Sequence, residues 1–202
     1  MKTIKESNVT EIIEKKSRFI AQIFYVESKE EAEKIILETK KKYYDAKHNC
    51  YAYTLYDYTN GEIYSKSSDD GEPSGTAGIP ILSVIKGNEL INSLVIVTRY
   101  FGGILLGTGG LVRAYKGATE KVVKTSTFLH FANGYEVKIC VDYKNWDEFN
   151  YYCRNNGIRI IKTEFSEKIE CIFEIPKSNF DNENAYYNES NIIRQKPIFT
   201  DF

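Results

Sequence analysis

Apolar and polar positions alternate between two periods along this chain, and the switches mark its elements. RFIAQIFYV (18–26) is dense in aromatic and β-branched residues and predicts a strand. A helix follows: Ser28 and Glu31 make an S-x-x-E capping pattern, Ala32, Ile35 and Ile36 give an apolar stripe, and Lys40, Lys41 and Lys42 sit where the last turn favours cations. HNCYAYTLYDY (48–58) predicts a second strand, with Asn60-Gly61 as the hairpin turn into GEIYS. Ile79 to Ile85 predicts a short helix. LVIVT (94–98) is short and apolar throughout, the pattern of a strand buried on both faces. A helix is predicted from about 111 to 124, and Asn133-Gly134 predicts a turn that closes the region.

Beyond that turn the pattern starts afresh. Tyr135 to Val141 alternates as a strand, Asn145 to Asn155 predicts a helix ended by Asn156-Gly157, and strands follow over 158–165 and 168–175 with a tight turn at Ser166-Glu167. Asn179 to Ser190 is a polar helix candidate, and Pro197 to Phe202 a final edge strand. The order βαββα with a closing β is the ferredoxin-like pattern. Two domains are therefore expected, 1–132 and 135–202.

Composition narrows the partners. Of 202 residues, 42% are hydrophobic and 27% charged, which suits a folded chain rather than a disordered one. The net charge is −1, split as +2 over 1–134 and −3 over 135–202. Neither part is a basic domain, so a nucleic-acid surface would have to be a local patch. Cys50, Cys140, Cys153 and Cys171 lack CxxC spacing, against zinc ribbons and thioredoxin chemistry. MKTIKESNVTEII has no signal-peptide apolar core, and no run approaches the ~20 residues of a membrane span. A reducing cytoplasm, with free thiols and no membrane association, is expected.

Three stretches could carry chemistry. In RYFGGILLGTGGLVRAY (99–115), Gly102, Gly103, Gly107, Gly109 and Gly110 fall between an apolar strand and a helix. Converging amides at a helix N-terminus form an anion site, and Arg99, Arg113 and Lys116 could add cations to it. The spacing matches neither G-x-G-x-x-G nor G-x-x-x-x-G-K-[ST], and the alternative is that the glycines only allow close helix–sheet packing. In DDGEPSGTAGIP (69–80), Asp69, Asp70 and Glu72 could bind metal, act as acid and base, or face a basic partner. They could equally be an acidic approach to a helix N-terminus, and Asp69 and Asp70 are adjacent, so they do not readily point to one place. His48 and Cys50, two apart, share a strand face as a nucleophilic pair, half a metal site, or a plain core Cys with a His at its margin. No third ligand has metal-like spacing, so no metal and no cofactor is expected.

HNCYAY (48–53), DDGEPSGTAG (69–78) and VTRYFGGILLGTGGLVRAY (97–115), with KKSRFIA (15–21) ahead of them, resemble the signature blocks of the IMPACT/YigZ family. They span most of residues 15–125 in the family's order. The resemblance implies an α+β N-terminal domain with the fold of elongation factor G domain IV and of a ribosomal-protein domain, followed by the ferredoxin-like domain of the bacterial branch. Eukaryotic relatives regulate translation by competing for an activator of an initiation-factor kinase. In the bacterial branch, contact with nucleic acid or the ribosome is inferred from the folds.

Together these features favour a non-enzymatic, cytoplasmic binding protein linked to translation, in which Arg99, Gly102, Gly103, Gly107, Gly109, Gly110, Arg113 and Lys116 contact RNA or the ribosome. Asp69, Asp70 and Glu72 form an acidic loop, and no residue is assigned as catalytic. An enzyme on a small phosphorylated or nucleotide substrate is the second reading, and a protein–protein adaptor of translation the third. Sequence leaves the oligomeric state open.

Overall fold

The computed structural model describes residues 1–57, 59–180 and 184–200. The chain divides into two compact units, Met1–Leu129 and His130–Phe202.

The first unit runs β1 (Lys2–Ile4), β2 (Asn8–Glu14), β3 (Ser17–Tyr25), α1 (Lys29–Lys42), β4 (His48–Tyr56), β5 (Ile63–Ser68), α2 (Gly78–Gly87), β6 (Ser93–Tyr100) and α3 (Gly107–Lys124). Its main sheet has the order β2-β3-β6-β4-β5, antiparallel throughout. The predicted apolar strand is β6, at the centre of the sheet. Alternation sends Val95 and Val97 to the core under α2 and α3, and Leu94 and Ile96 to the face that α1 covers with Ala32 and Ile36. Its continuous apolar run therefore reflects helices on both faces of an antiparallel sheet, not parallel pairing.

Local chemistry sets the ends of these elements. The Ser28 hydroxyl accepts from the Glu31 amide at 3.1 Å and caps α1, while the Glu31 carboxylate accepts from the Glu27 amide at 2.8 Å. The predicted capping box is thus shared between two residues ahead of the helix. The strand predicted over 48–58 ends at Tyr56, and Tyr58 lies outside the described residues. Lys15 and Lys16 close the β2–β3 hairpin with φ of 45° and 64°. That is the left-handed pair a two-residue hairpin turn requires, filled here by lysines instead of glycine.

The second unit holds most of β7 (Phe128–Val141), then α4 (Trp146–Asn155), β8 (Arg159–Phe165), β9 (Ile169–Pro176) and β10 (Ile192–Thr200). β9 and β10 flank β7, β8 pairs with β9, and all pairings are antiparallel. Val137, Ile139, Cys171 and Phe173 of the sheet pack on Phe149 and Cys153 of α4.

Two sequence expectations fail here. No turn forms at Asn133-Gly134, because both residues lie within β7. A Cβ on Gly134 would stand 2.6 Å from the Ile175 carbonyl and 2.7 Å from Ile198 Cδ1, so this glycine serves close strand packing. The helix expected over Asn179 to Ser190 is also not formed among the described residues; residues 181–183 lie outside them. Two 3₁₀ turns, Lys177–Asn179 and Glu189–Asn191, stand at its ends. Asn184, Asn188 and Asn191 each accept a nearby backbone N–H at 2.8 to 3.0 Å, and such local bonds compete with helix formation. The final strand starts at Ile192, five residues ahead of Pro197, and residues 201 and 202 lie outside the described part. Among the described residues no helix is long and apolar enough to cross a membrane.

Candidate functional site

The acidic block follows β5 and enters α2, and each of its carboxylates is engaged inside the protein. Asp69 accepts from the amides of Gly75 at 2.8 Å, Ala77 at 2.9 Å and Gly78 at 2.8 Å, and so satisfies the start of α2. Burial pushes its carboxyl up, but the three amides outweigh that and hold it below the usual carboxylate range. Asp70, at φ 42°, points elsewhere: it accepts from the Asn49 amide at 2.7 Å and pairs with Lys40 at 2.5 Å. The two neighbours diverge, as their adjacency in the chain predicts.

Glu72 turns into the core. Its Oε1 accepts from Arg99 Nη1 at 2.6 Å and from the Tyr115 hydroxyl at 2.8 Å. Arg99 follows Val95 and Val97 on the inward face of β6, where its guanidinium also lies 5.6 Å from the rings of Phe19 and Phe101. Arg99 Nε has no hydrogen-bond partner among the described residues. The expectation that Arg99 and Arg113 supply cations to one region is therefore corrected: strand alternation commits Arg99 to a buried ion pair.

Cys50 and His48 share a face as expected, yet do not bond to each other. Cys50 Sγ donates to the Asp69 carbonyl at 2.9 Å and lies 3.4 Å from the Tyr115 hydroxyl, while His48 Nδ1 lies 3.0 Å from the Asp70 carbonyl. Burial pushes the Cys50 thiol up to about 12 and, with Cys50 and Glu72 beside it, pushes the Tyr115 phenol up as well. A thiol held protonated at neutral pH is a poor nucleophile. No group of His, Cys, Asp and Glu among the described residues is arranged to hold a metal ion.

The glycine block divides by role. A Cβ on Gly102 would fall 2.0 Å from the Lys16 carbonyl, so this glycine lets the loop lie against the β2–β3 turn. Gly110 is restricted by Leu106, whose Cβ would be 2.9 Å away. Gly103 and Gly107 have φ of 84° and 71° with open space around them, and Gly109 is also unobstructed. The helix starts at Gly107, earlier than the predicted 111, which puts Arg113 in its second turn. No side chain caps α3. A Cβ at Gly109 would be 3.6 Å from Arg113 Nη1, so the guanidinium lies beside this first turn.

Arg113, Lys15 and Lys16 carry no ion pair among the described residues, whereas Lys116 sits 3.7 Å from Glu120. A cavity of about 270 Å³ opens between β2 and α3, lined by Ile12, Glu14, Lys15, Leu106, Gly110, Arg113, Ala114 and Gly117. Lys15 and Lys16 were not among the residues expected from glycine or acidic spacing. Phe101, Ile104 and Leu105 are exposed on the loop itself.

A sequence model of the Impact N-terminal domain matches residues 15–123, which hold these groups except Ile12 and Glu14. The IMPACT family member YvyE of Bacillus subtilis is 50% identical over 113 residues, which are 56% of this chain and 51% of that protein. An IMPACT family member of Haemophilus influenzae is 34% identical over 167 residues, 83% of this chain and 81% of that one. A crystal structure of a hypothetical protein superimposes with a TM-score of 0.61 at 28% identity, over 88% of this chain and 85% of its own. The match thus spans about half of YvyE and most of the Haemophilus relative.

Proposed function

The chain belongs to the IMPACT family, in its bacterial branch, and from that premise we propose a non-enzymatic cytoplasmic binding protein linked to translation that contacts RNA or the ribosome through the loop before α3. One contrast supports this reading. The acidic block, Asp69, Asp70 and Glu72, is bonded internally, while Arg113, beside the uncapped first turn of α3, and Lys15 and Lys16 of the β2–β3 turn are without ion pairs among the described residues. The contact surface is accordingly Gly103, Gly107, Gly109, Arg113 and Lys116 with the Lys15-Lys16 turn. Arg99, Gly102 and Gly110 shape the scaffold beneath it. The translation link rests on the family's resemblance to elongation factor G domain IV and to a ribosomal-protein domain; the regulatory role of the eukaryotic relatives is not transferred. In fold terms we extend the proposal to an elongation factor G domain IV-like first unit and a ferredoxin-like second unit, for which the pairing of β7 with β9 and β10 speaks.

The test is the salt dependence of binding to a ribosomal RNA fragment. Arg113→Gln together with Lys15→Gln and Lys16→Gln should lower the log–log slope by up to about three, one for each lost phosphate contact. A wild-type slope in the triple variant overturns the proposal. Exposed Phe101, Ile104 and Leu105 favour an adaptor as the second reading. Under it, Leu105→Asp removes a protein partner and the slope is irrelevant.

A further inference from the structure

The cavity between β2 and α3 has a chemistry that a bare phosphate-backbone contact would not need. Leu106, Gly110, Arg113, Ala114 and Gly117 recur at intervals of three and four, so one face of α3 forms its wall, and Ile12, Glu14 and Lys15 form the opposite side. Ile12, Leu106 and Ala114 make the interior apolar. Arg113, Lys15 and Glu14 bring two cations and one carboxylate to it, and none of the three has an ion-pair partner among the described residues.

Gly117 is the telling residue. It lies inside an 18-residue helix, where glycine is disfavoured relative to alanine. Unlike Gly110, it is not there to avoid a clash: a Cβ would meet only Ile12 Cδ1, at 3.9 Å, which is ordinary contact. Its missing side chain enlarges the cavity. A volume of about 270 Å³ is below the roughly 300–1,000 Å³ of drug-sized sites, so the occupant is one small group and not a length of chain.

We propose that this cavity is a single-nucleotide site, with the base between Ile12, Leu106 and Ala114 and the phosphate on Arg113 and Lys15. A guanidinium matches phosphate with two parallel hydrogen bonds. The Glu14 carboxylate can only accept, so it selects bases that present an exocyclic amino group. A long-chain acid would use the cations and the apolar wall but leave Glu14 without a donor. The nucleotide is either free or one unstacked unit of an RNA strand. The site deepens the RNA reading only in the second case.

Titration of the ¹⁵N-labelled full chain with 5′-AMP, 5′-UMP, adenosine and inorganic phosphate tests this. AMP should shift the amides of Ile12, Gly110, Ala114 and Gly117. It should bind about tenfold more tightly than UMP, which offers Glu14 no amino donor, and than adenosine or phosphate, which each lack part of the contacts; one hydrogen bond to a charged group supplies a discrimination of about that size. Gly117→Leu should fill the cavity and abolish AMP binding with unfolding still cooperative; if that variant does not fold, Arg113→Gln must weaken AMP by about tenfold and leave adenosine unchanged. AMP binding no tighter than phosphate, shifts confined to other residues, or wild-type affinity in the folded variant each overturns the site. Displacement of AMP by a single-stranded but not a duplex oligonucleotide identifies a strand as the source, and no displacement identifies a free nucleotide. AMP can bind here even where the salt-slope experiment fails, so the two proposals fall separately.

Discussion

Glu72 and Arg99 meet at 2.6 Å with side chains only 3% and 7% exposed, joining the acidic loop ahead of α2 to the central strand β6. Removing one member of a buried pair strands the other charge, so Glu72→Gln or Arg99→Gln should each cost about 3–5 kcal/mol in urea unfolding. The double variant should lose less than the two combined, because both charges leave together. Arg113→Gln, on the exposed surface, should stay within about 0.5 kcal/mol.

Asp69 makes stability depend on acid. Its folded pKa is depressed, so its contribution is complete above the unfolded value of about 3.9 and is lost as pH falls through the lower folded value. Asp69→Asn should be less stable at pH 7, and its stability should fall less steeply than wild type below about pH 4. Parallel curves for the two proteins would show that the three amides give Asp69 no special role.

The glycines should separate by position when each is changed to alanine. Gly102→Ala places a Cβ 2.0 Å from backbone, and should cost about 3 kcal/mol or more in thermal or urea unfolding. Gly107→Ala, at φ 71°, should cost about 1–2 kcal/mol. Gly109→Ala should be neutral or stabilising, since the position is open and helical.

All four cysteines are unpaired, and three are buried. Burial pushes the thiols of Cys50 and Cys153 up to about 12 and Cys171 up to about 11. Brief alkylation at pH 8 without reductant should label Cys140 alone by mass spectrometry, with the others reacting only in denaturant. Rapid labelling of Cys50 would contradict the environment described for it.

We propose that the second unit folds by itself, provided its first strand is whole. β10 pairs with β7 as far back as His130, opposite Thr200, so a fragment of residues 128–202 should unfold cooperatively. A fragment starting at 135 lacks the β7 residues that pair with Lys196 to Thr200, and should be markedly less stable. Equal midpoints in urea would count against that reasoning.

Much of this architecture is visible in the sequence. The two-residue period that buries Val95 and Val97 also points Arg99 inward, and Ser28 announces α1. What is not visible depends on distant neighbours. Glu72 reads as surface acid until Arg99, 27 residues on, comes to meet it. Tyr115 is legible as an apolar-face residue, but its hydroxyl partner is not. Asn133-Gly134 carries a turn signal that the packing of Ile175 and Ile198 overrides. Lys15 and Lys16 take a left-handed turn without glycine, so no local pattern marks β2 as a hairpin arm. The cavity on α3 needs β2 in place before Gly117 has meaning.

The position of β6 also dictates an order of events. In the sheet β2-β3-β6-β4-β5, neither β3 nor β4 touches the other; both wait for a strand that begins at Ser93. As the chain leaves the site of synthesis, residues up to 92 can form only two separate hairpins of this sheet, β2–β3 and β4–β5. The sheet closes in a single late step when β6 inserts between them, so the barrier to folding is dominated by contacts distant in sequence.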